Sequence, residues 1–265
     1  MDDFATFAPL FTGGRFGLFA DFDGTLSAIA PTPDAARITP RNRELLTALR
    51  DVAALVAVVS GRGAADLAQR VGIDGLVYVG NHGLEEWVDG RVVPVPQAAP
   101  YTEAVSAAAA ALGPLLLPGM HIEDKGVTLS LHYRATEDPD KAREQLLPQA
   151  QRIADANGLT LFEGRRIIEL RPPITIDKGV AFERLVRQHQ LDAAVFIGDD
   201  TTDVAAFQAA QVLRENGECR SYALGVVAAE SPPEVAAYAN GAVSSVEGVE
   251  AFIAWSLSKL SASST

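Results

Sequence analysis

The sequence predicts an α/β protein, with a doubly wound, Rossmann-like parallel sheet interrupted by a smaller inserted α+β domain. Three observations predict it. Short apolar runs such as ALVAVVS at 54–60 and AAVFI at 193–197 alternate with segments of helical periodicity near both ends of the chain. Strands buried on both faces of a parallel sheet read in this way. Between about 100 and 173 the order becomes helix, strand, strand, helix, strand, strand, which suits a small antiparallel sheet. Prolines gather where the pattern changes, at Pro94, Pro96 and Pro100 and again at Pro172 and Pro173. The expected division is a core of residues 1–97 and 173–265 with an insert of 98–172.

The elements follow in order. FGLFADF at 16–22 reads as a strand, and 40–52 as a helix with Thr39 as its N-cap and Leu45, Leu46 and Leu49 on one face. A buried strand at 54–60, a helix at 63–71 and a short strand at 76–79 complete the first part. A hairpin at 85–96 turns at Asp89-Gly90. The alanine-rich stretch 104–117 is a helix broken by Gly113 and Pro114. Two strand pairs follow: 121–123 with 127–133, turning near Lys125-Gly126, and 159–162 with 166–170, turning at Glu163-Gly164. The helix 140–157 separates them. Beyond Pro173, helices at 178–190, 202–210 and 247–260 alternate with strands at 193–197 and 221–226.

Composition removes several classes of function. The net charge of −12, with no basic stripe, argues against a nucleic-acid partner. No apolar run approaches the ~20 residues that span a bilayer, so no membrane partner is expected. Residues 1–15 are acidic and lack the apolar stretch of a secretory signal. The single cysteine, Cys219, excludes an intramolecular disulfide and reads as an inert thiol. A cytoplasmic monomer, free-standing and without a synthase domain, is expected. An acidic protein repels anions at long range, so an anion site here would need local cations or a metal.

Four motifs carry chemistry. DFDGTL at 21–26 closes the first strand, and ligands of an open parallel sheet bind at the carboxyl ends of its strands. Asp21 and Asp23 are close enough to repel each other unless a cation or proton intervenes, and Mg²⁺ matches such oxygen donors. Ser60-Gly61-Arg62 ends the second buried strand, where a hydroxyl and freed N–H groups can hold a phosphoryl oxygen. Lys178 opens a helix, a position the helix dipole disfavours, so a functional demand would explain it. GDDTTD at 198–203 places Asp199, Asp200 and Asp203 after another core strand. Helix capping accounts for one of these acids but not for all three.

In this order and context the motifs resemble the four signature motifs of the haloacid dehalogenase superfamily of phosphatases, and the insert resembles that superfamily's C2B cap. The segments NHGLE at 81–85, EDK at 123–125 leading to SLHYR at 130–134, and GRRIIELRP at 164–172 further resemble the trehalose-6-phosphate phosphatases. The resemblance spans nearly the whole chain. It departs at Val204 and Ala205, which stand where that family usually has two acids, and at Arg165, often lysine there.

The resemblance implies a Mg²⁺-dependent phosphatase acting on a small sugar phosphate, trehalose 6-phosphate. Asp21 would be the nucleophile and Asp23 the general acid and base, with Ser60 and Lys178 holding the phosphoryl group. Mg²⁺ would be held by Asp21, the Asp23 carbonyl and Asp199, with Asp200 and Asp203 supporting from behind. Thr25 would orient Asp23 or the phosphate, Gly61 and Arg62 would line the phosphate side, and His82 would contact the substrate. Glu123, Lys125, Arg134, Arg165 and Glu169 would read the sugar. For His82 and His132 a structural role is the alternative, because a lone histidine is more often structural. The segments near 95–100 and 171–174 would serve as hinges. Other C2B phosphatases, acting on mannosyl- or glucosyl-3-phosphoglycerate or sucrose phosphate, remain open, as does a catalytically silent sugar-phosphate sensor.

Overall fold

The computed structural model describes residues 4–30, 32–164 and 166–262. The chain divides into two compact units, Met1–Val92 with Ile176–Thr265, and Val93–Thr175. The sequence placed these junctions at 97/98 and 172/173.

The chain opens with a 3₁₀ segment, Ala5–Phe11, then β1 (Phe16–Ala20), α1 (Pro40–Arg50), β2 (Leu55–Val59), α2 (Ala64–Val71) and β3 (Val77–Gly80). Thr39 caps α1 by accepting the Asn42 N–H, and Pro40 occupies the first turn, where its missing N–H costs nothing. A hairpin of β4 (Glu85–Val88) and β5 (Arg91–Pro94) follows. Its turn residues Asp89 and Gly90 both have positive φ, as a twisted two-residue hairpin loop requires. The insert contains α3 (Thr102–Leu112), β6 (His121–Asp124), β7 (Leu129–His132), α4 (Pro139–Ala156), β8 (Thr160–Gly164) and β9 (Ile167–Arg171). The chain then adds α5 (Lys178–Gln188), β10 (Ala193–Gly198), α6 (Thr201–Glu215), β11 (Arg220–Val226), α7 (Pro233–Tyr238), β12 (Gly241–Val243) and α8 (Val246–Ala262).

In the first unit the sheet runs β12-β11-β10-β1-β2-β3-β4-β5. The strands from β12 to β3 are parallel, and β4 joins β3 antiparallel. Strand β1 is the switch point, with β2 on one side and β10 on the other, so the crevice for a ligand opens at its carboxyl end. Side chains alternate between two apolar layers. Leu18, Val58 and Val195 pack with Leu46 of α1, Leu67 of α2 and Phe252 of α8. Phe19, Ala57 and Phe196 pack with Phe182 of α5 and Phe207 of α6. The doubly wound core implied by the sequence is therefore present.

The second unit is an antiparallel sheet, β6-β7-β9-β8, with its own core. Leu129, Leu131, Ile168 and Leu170 face Val105 and Leu112 of α3 and Leu146 and Ala150 of α4. Two expectations need correction. The β8–β9 turn does not fall at Glu163-Gly164, because both residues pair inside the ladder, Gly164 with Ile167, and Arg166 beyond them takes φ 66°. Helix α6 runs to Glu215 instead of stopping at 210, since no glycine or proline interrupts it before Gly217. The short α7 and β12 were not foreseen, being too brief to show a period. Among the described residues no helix is long and apolar enough to cross a membrane.

Candidate active site

The chain leaves β1 in a tight loop. Leu26 and Ser27 both donate backbone hydrogen bonds to the Phe22 carbonyl, and Gly24 N–H donates to Ser27 O. This fold-back holds Asp21, Asp23 and Thr25 at the carboxyl end of β1. Next to it, β10 ends at Gly198, Asp199 follows, and α6 starts with Asp200 as N-cap and Asp203 completing a capping box. Helix α5 begins with Lys178, whose preceding residue Asp177 caps it by accepting the Val180 N–H.

These elements converge. Oxygens of Asp21, Asp199 and Asp203 lie within 4.8 Å of one another. Lys178 Nζ stands 3.1 Å from Asp21 Oδ1 and donates at 2.7 Å to Asp203 Oδ1. Lys178, Asp21 and Asp203 are all buried. Burial disfavours the lysine charge, but the carboxylates of Asp203 and Asp21 outweigh it and hold the ammonium above its ordinary range. Burial pushes the Asp21 carboxyl well up; Lys178 opposes this, while Asp203 and Asp199 add to it. Asp199 is pushed up to about 7, by burial first and the Asp203 charge next.

Three carboxylates thus face one ammonium. The imbalance suits a divalent cation with oxygen ligands. The fit is supported by Asp21 Oδ1, a buried oxygen in ion-pair contact with Lys178 but outside hydrogen-bond geometry. Asp199 is partly buried, and Thr25 Oγ1 donates to its Oδ1 at 3.3 Å. Asp203 is differently employed. Its Oδ1 serves Lys178, and its Oδ2 accepts the N–H groups of Asp199 and Asp200 at 3.0 and 3.1 Å. Asp203 therefore shapes the loop and orients the lysine. The Asp200 carboxylate is exposed and accepts from Thr201 N and Oγ1, the capping role. Thr25 is fully buried and engages Asp199, so its contact is with a carboxylate of the cluster.

The second wall comes from the ends of β2 and β3. Ser60 is buried, and its Oγ accepts the Arg62 N–H at 3.3 Å. Segments 60–62 and 80–82 interlock, with Asn81 N–H donating to Arg62 O and His82 N–H to Ser60 O. Asn81 and His82 both take the left-handed conformation, at φ 49° and 57°. Backbone of this kind is costly for non-glycine residues and recurs at functional sites. A Cβ on Gly61 would come within 2.6 Å of the His82 ring, so glycine at 61 lets the imidazole lie against the loop. Arg62 forks onto Asp23, Nε to Oδ2 at 2.6 Å and Nη2 to Oδ1 at 2.8 Å. Sequence reasoning gave Arg62 to the phosphate and missed this pairing, since nothing in residue spacing links positions 23 and 62.

In the second unit, cross-strand pairing sets Glu123, Ser130 and Glu169 in one row. Lys125 Nζ lies 3.8 Å from both Glu123 Oε2 and Glu169 Oε1, and Ser130 Oγ donates to Glu169 Oε1 at 3.1 Å. His132 Nε2 is 3.0 Å from Glu123 Oε2 and its ring stacks on His121. Arg171, which the sequence did not single out, pairs with Glu169. The i, i+2 spacing of Glu169 and Arg171 on one strand was the available signal. Arg134 is exposed. Arg165 lies outside the described residues.

The sequence model of the trehalose-phosphatase family matches residues 19–228. The trehalose-phosphate phosphatase of Mycobacterium marinum is 37% identical over 244 residues, 84% of this chain and 60% of that protein. A Mycobacterium tuberculosis protein named uncharacterized glycosyl hydrolase is 38% identical over 232 residues, 81% of this chain and 17% of its own length. The chain thus spans less than two thirds of the length of these curated relatives. The crystal structure of a trehalose-6-phosphate phosphatase related protein shares the fold, with a TM-score of 0.75 at 21% identity, covering 94% of this chain and 100% of that one.

Proposed function

The chain belongs to the trehalose-phosphatase family, and from that premise we propose that it hydrolyses trehalose 6-phosphate to trehalose and phosphate. The observation that carries the reading is Asp21, a buried carboxylate at the switch point of the sheet, with Lys178 3.1 Å away. Asp21 attacks phosphorus, the P–O bond to the sugar breaks, and an aspartyl-phosphate forms. Asp23 gives a proton to the departing sugar oxygen. It then takes one from water, whose oxygen attacks the same phosphorus and releases Asp21. Ser60 and Lys178 hold phosphoryl oxygens as charge moves onto them.

Asp21, Asp199 and the Asp23 carbonyl would hold Mg²⁺. When bound, the ion would neutralise charge between the nucleophile and the phosphate, which otherwise repel each other. Glu123, Lys125 and Glu169 are the hydroxyl-reading groups of the cap, being paired donors and acceptors in one cluster. A cytoplasmic monomer belongs to the same proposal, and sedimentation would test the monomer.

The experiment is phosphate release from trehalose 6-phosphate, with and without Mg²⁺, for the wild type and Asp21→Asn. Metal-dependent release that disappears in the variant is expected. Release only from other sugar phosphates would overturn the substrate. Binding of trehalose 6-phosphate with no release from any phosphate ester would turn the reading to a sensor.

A further inference from the structure

The Asp23–Arg62 fork does not end at Arg62. The third guanidinium nitrogen, Nη1, reaches Asp66 Oδ2 at 3.2 Å. Asp66 lies in the first turn of α2 and is itself gripped from below. Arg70 Nε donates to both of its oxygens, at 2.8 and 2.7 Å. Arg70 in turn donates to the carbonyls of Asp34 and Ala36, at 3.2 and 3.1 Å. The charges alternate along the whole line: carboxylate, guanidinium, carboxylate, guanidinium. Both of its ends attach to the segment that follows β1, so the line staples that loop to α2.

The two arginines are largely shielded, with side chains 13% and 12% exposed, while Asp23 and Asp66 are 41% and 40% exposed. Arg62 also lies over the Phe22 ring, at 5.5 Å. Asp66 adds a charged hold on Nη1, the nitrogen outside the fork on Asp23.

Building on the reading of Asp23 as proton donor, we propose that Asp66 is a positioning residue for the reaction, setting Asp23 through Arg62. It touches no reacting atom. Removing its charge weakens the hold on Nη1, lets the fork on Asp23 slacken, and misaligns the carboxyl with the leaving oxygen. The loss falls on proton donation and spares the attack by Asp21.

Leaving groups separate the two. A p-nitrophenolate departs without a proton, whereas phenolate and sugar alkoxides need one. The test is kcat/KM for a series of substituted phenyl phosphates, which needs no trehalose recognition, with wild type, Asp66→Asn and Asp66→Glu. Asp66→Asn is expected to lose about tenfold on phenyl phosphate and less than about twofold on p-nitrophenyl phosphate, at the low end of what general acids contribute. The slope against leaving-group pKa therefore steepens, and Asp66→Glu, which keeps the charge, restores it. If Asp66→Asn does not fold, Arg70→Lys serves, because the single nitrogen of lysine cannot hold Asp66 and the Asp34 and Ala36 carbonyls together; the same steepening is expected. An equal loss across the series, or no loss, overturns the proposal. Wild-type turnover of phenyl phosphates without turnover of trehalose 6-phosphate would overturn the substrate reading alone. Silence of the wild type on every ester would overturn both.

Discussion

Gly24 meets two demands at once. Its φ is +79°, and a Cβ there would stand 2.0 Å from Asp199 Oδ2. Gly24→Ala therefore carries about 1–2 kcal/mol of backbone strain and must also displace Asp199. Its kcat/KM should fall at least about tenfold, with more Mg²⁺ needed for half activity, because a misplacement near 1 Å has larger effects than that. Lys178 is a second such residue. Lys178→Met keeps the volume but leaves Asp21 and Asp203 buried without their cation, which should cost about 3–5 kcal/mol in urea unfolding and abolish turnover. Cys219 makes the opposite point. It is 4% exposed, and burial pushes its thiol up to about 12. The thiolate is thus scarce at pH 8, so a thiol reagent should label the folded chain negligibly and take up one equivalent in denaturant. The position of Gly24 after a strand and before Thr25 was legible as part of a motif. Its clash with Asp199, 175 positions away in the sequence, was not, because only the β1–β10 pairing brings them together.

At the scale of elements, the helix starts reveal how caps are supplied. Helix α1 carries its own cap in Thr39, and α6 carries Asp200, both visible as Thr or Asp before an apolar period. Helix α2 does not. Gly63 occupies its N-cap position with no side chain to offer, and Glu85 Oε1 accepts the Ala64 N–H at 2.7 Å instead. Glu85→Ala should cost about 1–2 kcal/mol, the loss of a cap, seen as a lower urea midpoint. Glu85→Gln should recover most of that. The start of α2 follows directly on Ser60-Gly61-Arg62, so the Ala variant should lose activity as well as stability. Sequence periodicity located α2 to within a residue. It had no means of finding the cap, since Glu85 reaches α2 only after β3 and the strained Asn81-His82 turn have carried it there.

At the scale of the whole molecule, the proposed function has the two units divide the work, and a substitution should report on the unit that holds it. Lys125→Ala removes the cation between Glu123 and Glu169 in the insert. It should raise KM for trehalose 6-phosphate about tenfold or more, as two charge-assisted hydrogen bonds would, and leave kcat/KM for p-nitrophenyl phosphate unchanged. A fall in both would deny the insert a role in sugar recognition. The sequence by itself determined the order of the elements apart from α7 and β12 and the interruption of a parallel-sheet protein by an antiparallel one, and it singled out Asp21, Ser60, Lys178 and Asp199. These follow from local patterns: apolar runs, helical period, turn residues, and polar groups set at strand ends. Tertiary structure alone decided what those groups do to one another. It gave Lys178 to two carboxylates, turned Asp203 toward loop and lysine, and bound Arg62 to Asp23 and Asp66. The physical reason is that hydrogen bonds and Coulomb forces act over a few ångströms in space, and strand pairing sets those distances between residues far apart in the chain.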